Sequence, residues 1–521
     1  MSVRSQEKRL FLVPFSFAVL VFPPTQGKPP PRGRTRELTR SLCVAIQDFK
    51  DLFSTLMVSL PLTAHRVRFT KVDHTFTSEE AINNLGSLKF SQSNRMPDPR
   101  DPTRIVTTTT TTTFSMAKEM ARSICQKFLE ARFVESLEGK TDFGSRTSVW
   151  QMTAKGIHIL QRFCSRNGIQ SAHIQQVFQS PRNTMQLVIL EREPETDKLN
   201  HDEATIEVIF RRFAGQEGPN VKTTTTASDS DSVQDYSTGM VGVKVAKERK
   251  VGDKVYFNTF TGRAASDWLM DCCTMVDRRE TVEISTLFME YGLIAPVDMA
   301  AHIARFAPTK SAIYYVTPKG QRVAGWVDSP KGSINGDAAS IRPREGAVRD
   351  SNSNRMTVIL KDPALRLLFR EFLRDTHCEE NLSFYQDVRE FLTGYAAAKK
   401  VSNPPKPESV REMLAWAYSL YNAFLAPGSP CELNIDHNLR SALAARMTRA
   451  VGDNEAMMES LEAVASLFEQ AKNSVFKLMA SDSVPKFARE PKYQSVLRER
   501  NLEAPLAVAA AAGIAAPRNS G

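Results

Sequence analysis

From Met356 to about Tyr493 apolar residues recur at three- and four-residue spacing, which marks helices that each bury one face. In DPALRLLFREFLRD the stripe is Leu365, Leu368, Phe369, Phe372 and Leu373. Asp362 and Pro363 ahead of it supply an N-cap and a proline at the first helical position. CEENLSFYQDVREF repeats the pattern through Leu382, Tyr385, Val388 and Phe391, continuing to Leu392 and Tyr395. VREMLAWAYSLYNAFLAPGSP places Trp416, Leu420 and Phe424 on one face before a Pro-Gly stop, and SLEAVASLFEQAKNSVFKLM does so with Leu461, Val464, Phe468, Val475 and Leu478. Phe384, Phe391 and Trp416 are read as core. Several such helices with short polar loops predict an all-α bundle.

Upstream the pattern is mixed and repeats itself. FTSEEAINNL, from Phe76, echoes FTGRAASDWL, from Phe260, and VWQMTAKGIHIL echoes IYYVTPKGQRVA. Each copy predicts two helices and then a short β pair around T-x-K-G, with Lys-Gly supplying the turn. The first copy is longer between its anchors. NRMPDPRDPTRIVTTTTTTTF, with seven consecutive Thr, suits neither a helix nor a packed strand and reads as a loop insertion. Between the copies, NTMQLVILERE (183–193) is strand-like, and DEATIEVIFRRFAG predicts a helix stopping at Gly215. Ser/Thr-, Gly- and Asp-rich stretches at 223–239 and 327–354 read as solvated linkers.

Composition changes this picture little. The chain of 521 residues is 41% hydrophobic and 24% charged, too long for one core. A formal charge of +10 over that length permits an acidic partner or an anionic lipid surface but does not argue for nucleic acid. Seven cysteines form no C-x-x-C pair, which fits a reducing compartment and offers no metal site; His377 beside Cys378 has the wrong spacing for zinc. The apolar run LFLVPFSFAVLVF resembles a signal-peptide core, yet its 13 residues are too few to span a bilayer, and a Pro-rich stretch follows without a cleavage site. A poorly ordered leader or a misassigned translation start is expected there. There is no phosphate loop, no H-E-x-x-H and no G-x-S-x-G, so neither a catalytic residue nor a cofactor is assigned.

Some of these segments resemble known families. LKDPALRLLFREFLRDTHCEENLSFYQDVREF, LYNAFLAPGSPCELNID and VFKLMASDSVPKF, in that order, closely resemble the three signature stretches of the regulator of G-protein signalling (RGS) domain, apart from an enlarged segment around RMTRAVGDNEAMME. FTGRAASDWL, then GLI and YYV, resembles the DEP domain, a winged helix. The acidic helix ASDWLMDCCTMVDRRE argues against DNA reading. The resemblance, to fungal RGS proteins with tandem DEP-like domains, implies a multidomain, mainly α fold: two winged-helix (DEP-like) α+β domains followed by an all-α RGS helical bundle. The expected layout is a disordered leader (1–44), a diverged DEP-like domain (45–168), a connecting region (169–222), a linker (223–239), a DEP domain (240–326), a linker (327–354), the RGS domain (355–493) and a disordered tail (494–521).

The same resemblance implies a partner, the GTP-bound α subunit (Gα) of a heterotrimeric G protein, and a role as GTPase activator rather than enzyme. Carried over by motif, the Gα-binding residues are Glu380, Asn381, Glu432, Asn434, Leu478, Asp482, Ser483 and Lys486. Asn434 would be the most consequential for hydrolysis, and Lys486 stands where many family members have Arg. The DEP domains would reach a receptor tail or an anionic membrane surface, giving a cytoplasmic protein peripheral to the plasma membrane; no nucleic acid is expected. The alternative is a scaffold that binds receptor or Gα without accelerating hydrolysis. Activation of hydrolysis should survive in residues 350–495 alone, whereas a membrane role should weaken with salt.

Overall fold

The computed structural model describes residues 35–98, 101–113, 115–167, 169–193, 198–215, 218–221, 236, 240–298, 305–327, 351–401, 407–429, 431–449, 454–499 and 502. The apolar leader and most of both expected linkers lie outside them. The described chain has two hydrophobic cores, one from Phe49 to Val177 and one from Val188 to Leu502.

The first core belongs to α1 (Thr35–Ser59), β1 (His65–Val67), β2 (Thr70–Val72), β3 (Thr75–Thr77), α2 (Ser78–Gly86), β4 (Lys89–Asp98), β5 (Asp101–Thr113), α3 (Lys118–Glu130), β6 (Val134–Ser136), β7 (Val149–Met152), α4 (Ala154–Arg166) and α5 (Ala172–Phe178). Strands β3, β7 and β6 form an antiparallel sheet with β7 in the middle. The poly-Thr segment departs from its expectation, because β4 and β5 pair as a long antiparallel hairpin. β-branched Thr favours extended backbone, and strand partners satisfy the amides that a loop would leave to water. Helix α1 starts at Thr35, inside the expected leader.

The connecting segment is not a strand at 183–193; only isolated bridges form, Val188 to Cys273 and Arg192 to Leu199. Its apolar run is buried by packing on neighbouring elements rather than by a ladder. Helix α6 (Glu203–Ala214) is capped by Asp202 and ends at Gly215, as the pattern indicates. It docks Phe213 among Phe260, Trp268 and Phe288, with ring centroids 5.2–5.5 Å away.

The second unit follows as β8 (Asn220–Val221), β9 (Lys244–Val251), β10 (Lys254–Thr261), α7 (Gly262–Cys272), α8 (Arg278–Glu290), β11 (Ile294–Pro296), β12 (Ile313–Val316) and α9 (Pro318–Ala324). Its order β10-β12-β11 matches β3-β7-β6 of the first unit. The anchors also match, but T-x-K-G opens a helix instead of turning a hairpin. Thr153 and Thr317 are N-caps of α4 and α9, accepting from the amides of Gly156 and Gly320. A Cβ on either glycine would lie 2.1 Å from the carbonyl oxygen of Phe133 or Leu293. Glycine is thus required for close backbone approach, not for positive φ.

The bundle comprises α10 (Ser351–Lys361), α11 (Pro363–Asp375), α12 (Glu379–Val401), α13 (Pro407–Phe424), α14 (His437–Arg449), α15 (Asn454–Leu478), a π-turn (Met479–Ser483), α16 (Val484–Arg489), a 3₁₀ turn (Pro491–Tyr493) and α17 (Gln494–Glu499). Phe384 and Phe391 are fully buried, and Trp416 packs edge-on to Phe391 with centroids 5.8 Å apart. The expected tail is corrected at its start, since α17 folds back and Val496, Leu497 and Leu502 join the core. Those three apolar residues gain more from burial than the chain end loses in freedom.

Buried charges tie the connecting segment to α11. Glu191 accepts from Arg366 Nε (3.0 Å) and Nη2 (2.5 Å) and lies 3.7 Å from Arg370 Nη2. Arg212 Nη1 donates to Glu371 Oε1 at 3.0 Å.

Candidate functional site

The sequence-marked residues gather at one end of the bundle. Helix α11 stops because His377 takes φ +56°, which turns the chain and lets Cys378 N reach Leu373 O at 2.7 Å and His377 N reach Arg374 O at 3.1 Å. Those two bonds form a Schellman closure that satisfies orphan carbonyls. The turn delivers Glu379, Glu380 and Asn381 to the first turn of α12, where acidic side chains favour the positive helix end.

These three side chains behave differently. Glu379 points to cations, with Arg374 Nε at 3.3 Å and Arg162 Nη1 of α4 at 3.4 Å. Burial alone would raise its pKa, but Arg374, Arg162 and Arg370 hold the carboxyl below its ordinary value. Glu380 is half-buried, and burial, with the Glu379 charge adding, pushes its carboxyl up. Asn381 is buried; its Nδ2 donates to Cys378 O (3.3 Å) and Glu380 Oε1 (3.2 Å). It fixes the turn and Glu380 rather than presenting a free amide.

The second cluster lies between α13 and α14. Leu433 and Ile435 are buried while Glu432, Asn434 and Asp436 are exposed, an alternation that turns the Asn434 amide outward. Arg440 locks the segment, donating to Glu432 Oε1, to Leu433 O and, at 3.4 Å, to Leu425 O. Glu432 Oε2 also accepts from Gly428 N at 3.0 Å. Arg440, first among its causes, holds the Glu432 carboxyl below its ordinary value. Glu432 therefore braces the loop that carries Asn434.

The third cluster is the π-turn. Pro485 cannot donate the amide that would continue the α15 ladder, so the backbone widens over Met479–Ser483. Ser483 is buried, while Leu478 and Asp482 remain exposed, Leu478 at 39%. Asp482 Oδ1 meets Lys486 Nζ at 2.8 Å; both are more than half exposed, so the pair orients the carboxylate and adds little stability.

Cys378 and Cys431 show how these clusters adjoin. Burial raises the Cys378 thiol; Glu380 and Asp482 raise it further and Lys486 opposes them. The Cys431 thiol is raised by burial first and also feels Glu380. Arg440 and Arg162 escaped sequence reasoning. Arg440 carries a weak signal, a cation one turn into the helix that follows CELNID, and Arg162 carries none. Among the described residues no group of three His, Cys, Asp or Glu could hold a metal ion, and no helix is long and apolar enough to cross a membrane.

Comparison with known proteins agrees with this architecture. Residues 355–496 match the regulator of G protein signaling domain, residues 242–316 the domain found in Dishevelled, Egl-10, and Pleckstrin (DEP), and residues 48–180 the fungal-differentiation regulator winged helix domain. The chain therefore carries an RGS domain and a DEP domain and is similar to fungal regulators of G-protein signalling. It is a homologue of Developmental regulator flbA of Emericella nidulans, 64% identical over 468 residues that cover 88% of this chain and 64% of the relative. The chain thus spans less than two thirds of that relative's length. Regulator of G-protein signaling 1 of Schizosaccharomyces pombe is 26% identical over 443 residues, covering 85% of this chain and 88% of that protein. Regulator of G-protein signaling 7 of Bos taurus is 30% identical over 145 residues, covering 28% and 25%.

Proposed function

We propose that the chain accelerates GTP hydrolysis on a heterotrimeric Gα subunit and so ends signalling, without itself being a catalyst. Gα carries its catalytic Arg in cis and a Gln that orients the attacking water. A partner that binds the transition-state arrangement of the mobile switch segments best lowers the barrier by differential binding. The observation that carries the reading is the Asn434 amide, exposed between buried Leu433 and Ile435 on a loop locked by Arg440. A side-chain amide held this way can donate to the Gln of Gα and accept from switch backbone. Leu478 offers an apolar contact, Asp482 an acceptor for switch amides, and Glu380 a second acceptor, with Asn381, Glu432, Ser483 and Lys486 completing or bracing the face.

The rest of the chain serves to target this activity. In this reading the first and second units are both DEP-like winged helices, and the protein is cytoplasmic and peripheral at the plasma membrane. The β9–β10 hairpin supports a contact with anionic lipid or a receptor tail, because Val251, Val255 and Phe257 are exposed beside exposed Lys247, Lys250 and Lys254. A scaffold without activating power is the second reading, favoured by Lys486, which meets Asp482 as a point charge where Arg would offer a fork. Single-turnover hydrolysis by GTP-loaded Gα, with and without the full chain, separates the two. Acceleration supports the activator, and binding without acceleration supports the scaffold.

A further inference from the structure

The loop that carries Asn434 is anchored on two sides, and only one side belongs to the bundle. On the bundle side Leu433 N donates to Phe424 O at 2.9 Å and Arg440 grips Glu432. On the other side stands the first winged-helix unit. Gln170 Nε2, in the turn after α4, donates to Gly428 O at 2.7 Å. Arg162 on α4 reaches Glu379 at 3.4 Å, next to Glu380. A continuous relay results: Gln170 holds the carbonyl of Gly428, the amide of Gly428 holds Glu432, and Glu432, two residues from Asn434 along the chain, holds Arg440.

We propose that α4 and the turn after it position the Gα-facing loop, so that Arg162 and Gln170 are positioning residues for a face they do not belong to. The inference rests on the functional reading above and deepens it. Asn434, Asp482 and Leu478 stay exposed with the first unit in place, so its contact flanks the face instead of covering it. Bracing from outside narrows the set of loop conformations before Gα arrives, and a partner that meets a pre-organised loop loses less freedom on binding. The first unit would therefore act on affinity for the transition-state form of Gα more than on the maximal rate.

The test uses the full chain carrying Gln170→Ala, Arg162→Ala, both together, or the conservative Arg162→Lys. Amide exchange over residues 425–434 and the concentration of chain giving half-maximal acceleration of single-turnover hydrolysis are read side by side. Losing both contacts should speed exchange in the loop and raise that concentration, each about fivefold, the scale of a lost hydrogen bond or two. Exchange in α15 and the maximal rate should stay near wild type, and Arg162→Lys should retain most of the effect. Unchanged loop exchange in the double variant overturns the proposal, as does faster exchange with an unshifted half-maximal concentration. Should the double variant unfold early, Gln170→Glu, which sets a carboxylate against the Gly428 carbonyl, decides by the same readouts. If the wild-type chain gives no acceleration at all, the activator reading fails, while the exchange data still report whether the brace exists.

Discussion

Replacing Glu191 by Gln should weaken the union of the connecting segment with α11 more than any surface change of equal size. The carboxylate stands between two guanidinium groups, and the side chains of Glu191, Arg366 and Arg370 are 17%, 11% and 6% exposed. Burial alone would raise the Glu191 pKa, yet the hydrogen bonds from Arg366 and the charges of Arg370 and Arg366 hold it below its ordinary value of 4.5. Removing one partner of a buried pair costs about 3–5 kcal/mol, because the other charge stays buried and uncompensated. Arg366 keeps the Leu360 carbonyl, and Gln keeps one acceptor, so the lower end, about 3 kcal/mol, is expected. A depressed folded pKa contributes stability that is present above the unfolded value and lost as pH falls through the folded one. The variant should therefore be less stable at pH 7 and should lose less on acidification below 4.5 than wild type does. Denaturant unfolding of the full chain across a pH series measures both effects. A loss under about 0.5 kcal/mol, in the range of an ordinary surface substitution, would refute the reasoning. The same geometry bears on fragments: residues 350–495 alone lack Glu191 and Arg212, so Arg370 keeps Gln386 but loses its ion pair with Glu191, and Glu371 loses its ion pair with Arg212.

Two further predictions concern the paired winged units. Gly156→Ala and Gly320→Ala should each cost about 2–3 kcal/mol by thermal or denaturant unfolding, since the new methyl meets a backbone carbonyl that cannot move alone; a neutral result at both sites would contradict the shared packing. Lys155 is buried between the two units, donating to Met270 O and Met275 O at 2.5 Å each, and burial pushes its ammonium down to about 8, partly offset by Asp271. Its folded value lies below its ordinary 10.5, so stability should rise with pH between about 8 and 10.5. Lys155→Met, which has no ammonium to titrate, should abolish that rise, as read by unfolding against pH.

Much of the fold was legible because its signals are local. The stripes of α11 and α12, the Asp362–Pro363 start and the Gly215 stop depend on neighbours a turn away. The duplication showed in FTSEE against FTGRA, and the two sheets confirm a shared strand order. T-x-K-G was misread because Gly serves both turns and close approaches, and only the distant carbonyls of Phe133 and Leu293 decide between them. The poly-Thr hairpin was missed because low complexity hides the period that would announce a strand. At the site, motif resemblance marked residues but not their division of labour. Asn434 and Asp482 face outward, whereas Asn381 is buried and Glu432 is held by Arg440. The braces from Arg162 and Gln170 come from residues more than 200 positions away in sequence, and no local pattern encodes them.

The central claim is that the Asn434 face turns Gα into a faster GTPase. It is tested most directly by single-turnover hydrolysis of GTP on purified Gα with the full chain, wild type against Asn434→Ala, at saturating and subsaturating concentrations. Asn434 is exposed, so the variant should fold as wild type does. The account predicts clear acceleration by wild type and a loss of at least about tenfold in the variant, the worth of one charge-free hydrogen bond realised in the transition state. Equal acceleration by both would contradict the assignment of the face, and no acceleration by wild type that nevertheless binds Gα would contradict the activator reading itself.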